Sequence, residues 1–267
     1  MDLKNFIVNI LKIILQNKFI FRLISKLKII LDNNIYNVSY KNLNLRFYNN
    51  SWITNFRYKT FANKEPETLE WINTFKNNSI FWDIGANVGL YSVFAGKLGK
   101  KIKVYAFEPS PFNYEILVKN FEINKLNDAI IIPIPLSNKI QIAKFKLSNT
   151  ITGGALSVFG EEYDANGNIF SEELSFNTLG INIDEICNIF NLQKPDYIKV
   201  DVDGIEHLIL EGGEKIIKNC QSILIEINKN FPEQKEKCNN FLEKNGFKKT
   251  NLDLIGFEST NELWTKK

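Results

Sequence analysis

From residue 80 onward, short apolar runs alternate with stretches of helical length. Ile80–Ile84 is such a run, followed by a glycine-punctuated turn and a helical stretch from Leu90 to Leu98. Val104–Phe107, Ala129–Ile134, Tyr197–Val202 and Ser222–Ile227 repeat the apolar pattern, with helical stretches at Pro111–Asn124, Leu208–Ile217 and Pro232–Asn245. Strands covered by helices on both faces read as continuous apolar runs, because neither face meets water. Crossovers between parallel strands are right-handed, which narrows the fold class to α/β with a doubly wound, mostly parallel sheet.

The flanks and one internal stretch break this rhythm. Residues 35–60 alternate loosely and read as two or three short strands, with an Asn-rich turn at Asn49–Asn50. A helical stretch follows from Pro66 to Lys76, where proline suits the first turn. Residues 138–178 read as short strands and loops around Gly153–Gly154, an insertion between strands three and four. The tail alternates again from Phe247 and predicts a closing hairpin. The resulting organisation is a segment 1–34, then a domain 35–267 with an extension at 35–79 and a core at 80–230.

The first thirty residues hold Lys4, Lys12, Lys18, Arg22, Lys26 and Lys28 against Asp2 alone. Their charges interrupt the apolar pattern too often for a membrane span. No small-residue cleavage site marks a signal peptide. On a helical wheel Phe6, Ile10, Ile13, Ile14, Phe21 and Ile24 fall on one side and the cations broadly on the other. Two readings stand: a helix packed on protein, or a basic amphipathic helix lying peripherally on an anionic membrane through residues 1–31.

Composition excludes collagen, coiled-coil arrays and wholesale disorder, with 44% hydrophobic and 24% charged residues. Thirty-three basic residues against thirty acidic ones leave no field for nucleic acid. Cys187, Cys220 and Cys238 are too scattered for a disulfide framework and point to a reducing, cytoplasmic compartment. His207 is the single histidine, which argues against His-based zinc sites and a Ser-His-Asp triad.

The turn after the first strand reads Asp83-Ile84-Gly85-Ala86-Asn87-Val88-Gly89. Asn87 stands where a dinucleotide fingerprint needs its middle glycine, so an NAD-dependent dehydrogenase is the weaker alternative. An acid at a strand end with glycines behind it suits S-adenosylmethionine, which carries an ammonium and a sulfonium but no phosphate. Glu108 ends the second strand, placed to accept hydrogen bonds from both ribose hydroxyls. Helix capping and dipole stabilisation are the structural alternatives for Asp83 and Glu108.

FWDIGANVGLYS, VYAFEPSP, YIKVDVDGIEHLILEGG and SILIEI, in that order, resemble the FkbM-type methyltransferases over residues 65–230. The resemblance implies a class I, Rossmann-like fold and an S-adenosylmethionine-dependent O-methyltransferase. It implies a sugar hydroxyl of a surface glycan or glycolipid as acceptor, or alternatively a small secondary metabolite. It also implies that Asp83, Gly85, Asn87, Gly89, Glu108 and the segment around Ser137 bind cofactor. Lys199, Asp201 and Glu206 match the family's K-x-D-x-x-G-x-E run, with Asp203 where the family has Glu. The class I strand order puts the third strand at a sheet edge, where Pro133 and Pro135 are tolerated. A non-catalytic scaffold of the same fold is the remaining alternative.

Methyl transfer from a sulfonium to a hydroxyl is an in-line displacement that needs placement and a base. Strand alternation puts Lys199, Asp201 and Asp203 on one face, and the Gly204 turn brings Glu206 to the same end. Lys199, Asp201 and Glu206 are therefore the catalytic candidates. Lys199 and Glu206 also have structural readings, as an ion-pair partner and a helix-terminus acid. His207 as base, Glu226 as pocket cap and a divalent ion on Asp201, Asp203 and Glu206 are lesser readings, and no metal is assigned.

Overall fold

The computed structural model describes residues 12, 14, 16–250 and 260–266. The first described element is helix α1 (Lys18–Asp32), capped by the Asn17 side chain, which accepts from the Phe19 and Ile20 amides. Strands β1 (Ile35–Tyr40) and β2 (Leu43–Tyr48) form an antiparallel hairpin in which Tyr40 opposes Leu43. Its turn therefore lies at Lys41 and Asn42 rather than at Asn49–Asn50, and Lys41 takes φ 49 there.

Residues expected to form a third short strand form helix α2 (Trp52–Lys59) instead. A capping box explains the difference: Ser51 accepts from the Thr54 amide while Thr54 Oγ1 accepts from the Ser51 amide. Helices α3 (Phe61–Lys64) and α4 (Pro66–Asn73) follow, the latter with proline in its first turn as its sequence requires.

The core is a seven-stranded sheet in the order β11-β12-β10-β9-β3-β4-β5. It uses β3 (Ile80–Ile84), β4 (Lys103–Phe107), β5 (Ile130–Ile132), β9 (Tyr197–Val200) and β10 (Ser222–Glu226) in parallel. Strands β11 (Phe247–Thr250) and β12 (Asn261–Lys266) are antiparallel to one another, the closing hairpin the tail predicted. The residues joining them lie outside the described residues. Strand β5 is the sheet edge, and Pro133 and Pro135 fall just beyond it, where no neighbour needs their missing N–H.

Alternate residues of each core strand feed two apolar layers. Trp82, Tyr105 and Phe107 join one; Phe81, Val104 and Ala106 join the other. Helices α5 (Leu90–Lys97) and α6 (Pro111–Ile123) supply the second layer. The hairpin is fixed to α6 by two buried amides: Asn120 Oδ1 accepts from the Tyr48 amide at 2.8 Å and Asn124 Oδ1 from the Arg46 amide at 3.0 Å.

The insertion builds its own antiparallel sheet, β7-β6-β8, from β6 (Gln141–Leu147), β7 (Ser157–Phe159) and β8 (Leu174–Gly180). Helix α7 (Ile183–Phe190) follows, with Asn182 capping the Glu185 amide. The single helix expected over Leu208–Ile217 is two: α8 (Glu206–Glu211) and α9 (Glu214–Ile217). They break at Gly212, where a Cβ would lie 2.3 Å from the Ser137 carbonyl oxygen. The chain thus bends to let the loop after β5 pass. Helix α10 (Pro232–Lys244) precedes β11.

Candidate active site

Strands β3, β4 and β9 end together, as parallel strands must, and the turns that follow them line two adjoining cavities. The first has apolar walls from Phe107, Ile134, Leu136, Phe145 and Phe159 with Glu108 and Asn113 among them. The second is lined by Arg57, Glu65, Tyr91, Lys199 and Glu226. Gly85, Asn87, Ala155, Asp201 and Asp203 border both.

Glu108 is 5% exposed. Its Oε2 accepts from the Asn87 amide at 2.7 Å and its Oε1 from the Ser110 amide at 2.8 Å. Burial nevertheless pushes its carboxyl up to about 7. Asn87 sits in the left-handed region at φ 52 and donates from Nδ2 to the Gly154 carbonyl at 2.7 Å. Asn113 donates to that same oxygen and accepts from the Gly153 amide. The insertion is thereby pinned over the cofactor-type turn, a role for Asn87 and Asn113 that the motif spacing did not contain.

Lys199 is 2% exposed, its Nζ 2.5 Å from Asp201 Oδ2, 3.6 Å from Glu65 Oε2 and 5.1 Å from the centroid of the Tyr91 ring. Burial alone would lower its pKa, but the charges of Asp201, Glu65 and Asp83 outweigh it and the ammonium is held firmly protonated. Burial likewise opposes ionisation of Asp201, and Lys199 overrides it, so Asp201 is held below the usual carboxylate range.

Carboxylate oxygens of Asp201, Asp203 and Glu226 lie within 4.8 Å of one another. The acid that joins this group is Glu226, not Glu206 as the sequence reading had it. Like charges so close cannot all ionise. The Asp201 charge, then burial, push Glu226 up to about 9, and burial with Asp201 pushes Asp203 up to about 6. Asp203 takes φ 62, and its Oδ2 accepts from the Leu156 amide at 2.8 Å and the Ser157 amide at 3.4 Å.

Several candidates stand behind the cavities rather than in them. Glu206 is fully buried and lines neither cavity. It accepts from the Val202 and Gly204 amides and from Gln234 Nε2, so it folds the turn that presents Asp201 and Asp203. Burial pushes it up to about 7. Asp83 is 1% exposed, accepts from Ser92 Oγ at 2.6 Å and is pushed up to about 6 by burial against the pull of Lys199. Gly89 takes φ 83 at the start of α5, packed on Leu117, and Ser137, in the loop after β5, is buried and lines neither cavity. His207 is buried near the Phe231 ring and lines neither cavity.

The sequence reading did not find Arg57 and Glu65, which come from the extension. Arg57 donates from Nε to the Gly153 carbonyl at 2.6 Å, and its guanidinium borders the second cavity. Glu65 precedes Pro66, and the helix start places its carboxylate against Lys199.

The residues fit S-adenosylmethionine by the chemistry of their donor sets. The first cavity offers an apolar slot for adenine, beside a Glu108 carboxylate with lone pairs left for a ribose diol. The second offers acids for an ammonium and a sulfonium, beside Arg57 for a carboxylate.

Residues 83–249 match the family described as the methyltransferase FkbM domain. Over 153 residues the chain is 27% identical to the hexuronic acid methyltransferase AglP of Haloferax volcanii, covering 57% of each protein. Over 162 residues it is 23% identical to the methyltransferase sdnD of Sordaria araneosa, covering 53% of this chain and 62% of that one. The matched stretch thus spans under two thirds of either relative. Among solved structures, the precorrin-6y C5,15-methyltransferase of Geobacter metallireducens is 15% identical with TM-score 0.43, covering 75% of this chain and 84% of that one. TYW2 of M. jannaschii in complex with AdoMet is 14% identical with TM-score 0.44, covering 87% of each.

Proposed function

The chain belongs to the methyltransferase FkbM domain family, and from that premise we propose that it is an S-adenosylmethionine-dependent O-methyltransferase acting on a sugar hydroxyl of a glycan or glycolipid. The observation that carries this reading is the junction of two unlike cavities at Gly85, Asn87, Asp201 and Asp203. One suits the adenosine half of the cofactor; the other takes its sulfonium end, where Asp201 would meet the acceptor hydroxyl beside the methyl.

Glu108 would hold the ribose hydroxyls and the Phe107–Leu136 slot the adenine. Bound, the cofactor supplies an electrophilic methyl on a sulfonium. Asp201 would receive the acceptor hydroxyl proton at Oδ1, while Lys199 fixes its Oδ2. A carboxylate held so far ionised is a weak base, so most of its contribution is orientation of the hydroxyl, with proton transfer late in the displacement. The products are a methyl ether and the demethylated cofactor, and the proton rests on Asp201 before leaving to solvent. Glu206 supports this arrangement as a positioning residue.

AglP makes an acid sugar the first acceptor to test. On this reading the enzyme works in the cytoplasm, at the inner face of a membrane through residues 1–31. No helix among the described residues is long and apolar enough to cross one.

The test is transfer of a labelled methyl group to free and glycosidically linked hexoses and hexuronic acids, with mass spectrometry of the product. A methyl ether on a sugar is expected. Absence of S-adenosylhomocysteine binding by calorimetry would overturn the reading.

A further inference from the structure

Helix α1 leaves uncovered the apolar arc that its sequence builds. Leu23 is 51%, Leu27 50%, Ile30 67% and Leu31 64% exposed, and no residue of the helix is buried. At helical spacing these four share one arc, flanked by Lys18, Arg22 and Lys26 on one side and Lys28 on the other. The domain therefore does not cover this face, and the packed-helix reading would need another molecule.

A second uncovered patch lies on α2. Trp52 is 71% and Phe56 53% exposed, one turn apart on the same face of α2. The two helices are joined end to start: the Asn49 amide donates to the Asn34 carbonyl at 2.8 Å. From α2 the connection continues to the cleft. Ser51 Oγ donates to the Thr152 carbonyl and Arg57 Nε to the Gly153 carbonyl, each at 2.6 Å. Ile151 and Leu156, in that same loop, are 39% and 49% exposed. Hydrogen bonds thus link α1 through α2 to the loop at the second cavity, and each of the three segments carries uncovered apolar side chains.

We propose that α1 and the Trp52–Phe56 face of α2 form one contact surface for an anionic lipid bilayer, so that the cleft opens beside the headgroups. Charge selects this occupant over a second copy of the chain. Lys18, Arg22, Lys26, Lys28 and Lys59 belong to the surface, against Asp32, which Lys28 already pairs at 2.6 Å. A twofold contact through this face would bring like charges together, whereas anionic headgroups neutralise them. Exposed Trp and Phe between Lys and Arg match the composition of segments that sit at the headgroup level. The inference deepens the methyl-transfer reading by giving the cleft a location, and it is tested by a separate signal.

The full-length chain is sedimented with phosphatidylcholine vesicles, with and without phosphatidylglycerol. Binding is expected only with the anionic lipid and is lost as salt rises, since screening acts within about 10 Å at 0.1 M. Lys18→Gln/Arg22→Gln/Lys26→Gln lowers vesicle affinity by about tenfold or more, and Trp52→Ala/Phe56→Ala lowers it severalfold. Both variants retain S-adenosylhomocysteine binding in calorimetry. The proposal is overturned if the wild type ignores anionic vesicles, or if Trp52→Ala/Phe56→Ala binds them unchanged. It is equally overturned if the charge variant instead dissociates an oligomer in analytical ultracentrifugation. Vesicle binding by a wild type that takes up no S-adenosylhomocysteine leaves the bilayer surface standing and removes the methyl-transfer reading alone.

Discussion

Lys199 and Asp201 form a closed pair at the end of a central strand, Nζ to Oδ2 at 2.5 Å, with the ammonium 2% exposed and a second acid, Glu65, 3.6 Å away. Four acids depend on this one buried cation, because Asp83 and Glu226 also feel its charge. Removing one partner of a buried pair leaves the rest uncompensated, at a cost of about 3–5 kcal/mol. Lys199→Met is therefore expected to destabilise the fold by that order, read from urea denaturation. Stability within 1 kcal/mol of wild type, on the order of a surface substitution, would mean that the acids take up protons instead.

Asp201→Asn keeps the shape and removes the charge that Lys199 holds. With the charge that orients the hydroxyl and takes its proton late now lost, turnover should fall about 10²-fold, the low end for general-base contributions, while S-adenosylhomocysteine affinity stays within severalfold of wild type. Glu226→Gln gives the contrast. Glu226 is pushed up to about 9 by Asp201 and so carries its proton at neutral pH. The amide resembles that neutral form, and turnover at pH 7 should fall far less than in Asp201→Asn.

Glu108 is expected to act in cofactor affinity and not in the chemical step. Hydrogen bonds to a charged group are worth about 1.5–3 kcal/mol, so Glu108→Gln should weaken S-adenosylhomocysteine binding roughly ten- to a hundredfold, with kcat at saturation nearly unchanged. Its carboxyl titrates at about 7. Below that pH a proton occupies one acceptor site, so wild-type affinity should rise as pH increases through 7, and Glu108→Gln should remove the rise. Calorimetry across this range checks both statements.

The ends of β3, β4 and β9 were legible because parallel strands deliver their last residues to one edge. Apolar runs followed by Asp83, Glu108 and Asp201 needed no tertiary knowledge. The strand expected to reach Val202 ends at Val200, and at Asp203 the backbone enters the left-handed region and the turn takes over. Glu226 was hidden as a partner of Asp201, because only the parallel register Ile225 to Val200 brings the two strand ends together. Arg57 was hidden by a wrong period: its segment alternates loosely enough for a strand, and the Ser51–Thr54 capping box, lacking the usual acid at its fourth position, gave a weak helix signal. Glu206 was placed correctly at the turn, but its backbone hydrogen bonds turn it inward, which sequence spacing does not reveal.

Glu206→Gln separates positioning from proton transfer. The carboxyl titrates near 4.3 in an unfolded chain and at about 7 in the fold, so the native state binds the extra proton between those values. Its contribution to stability is present below about pH 4.3 and is lost as pH rises through 7. Glu206→Gln should flatten that part of the decline in denaturation measured from about pH 5 to pH 8, and keep turnover close to wild type. A loss of turnover as large as in Asp201→Asn would restore Glu206 to proton transfer.

Gly85 meets the strictest steric demand in the site. A Cβ there would lie 1.8 Å from the Asp201 carbonyl oxygen, and the residue takes φ +84. Gly99 supplies a control, because it also has positive φ, +72, but a Cβ there meets nothing within 4 Å. The backbone angle alone costs roughly 1–2 kcal/mol for a residue with a side chain, and Gly99→Ala should lose about that much and bind S-adenosylhomocysteine normally. Gly85→Ala adds a clash with backbone, which no side-chain rotation relieves. The turn after β3 must then move away from Asp201, separating the edges that the two cavities share. Gly85→Ala should lose more stability than Gly99→Ala in urea denaturation, and its S-adenosylhomocysteine binding should fall beyond detection in calorimetry while circular dichroism still reports a folded chain. Equal losses in the two variants would mean that the angle alone governs Gly85, and that the approach of β3 to Asp201 carries no constraint on the site.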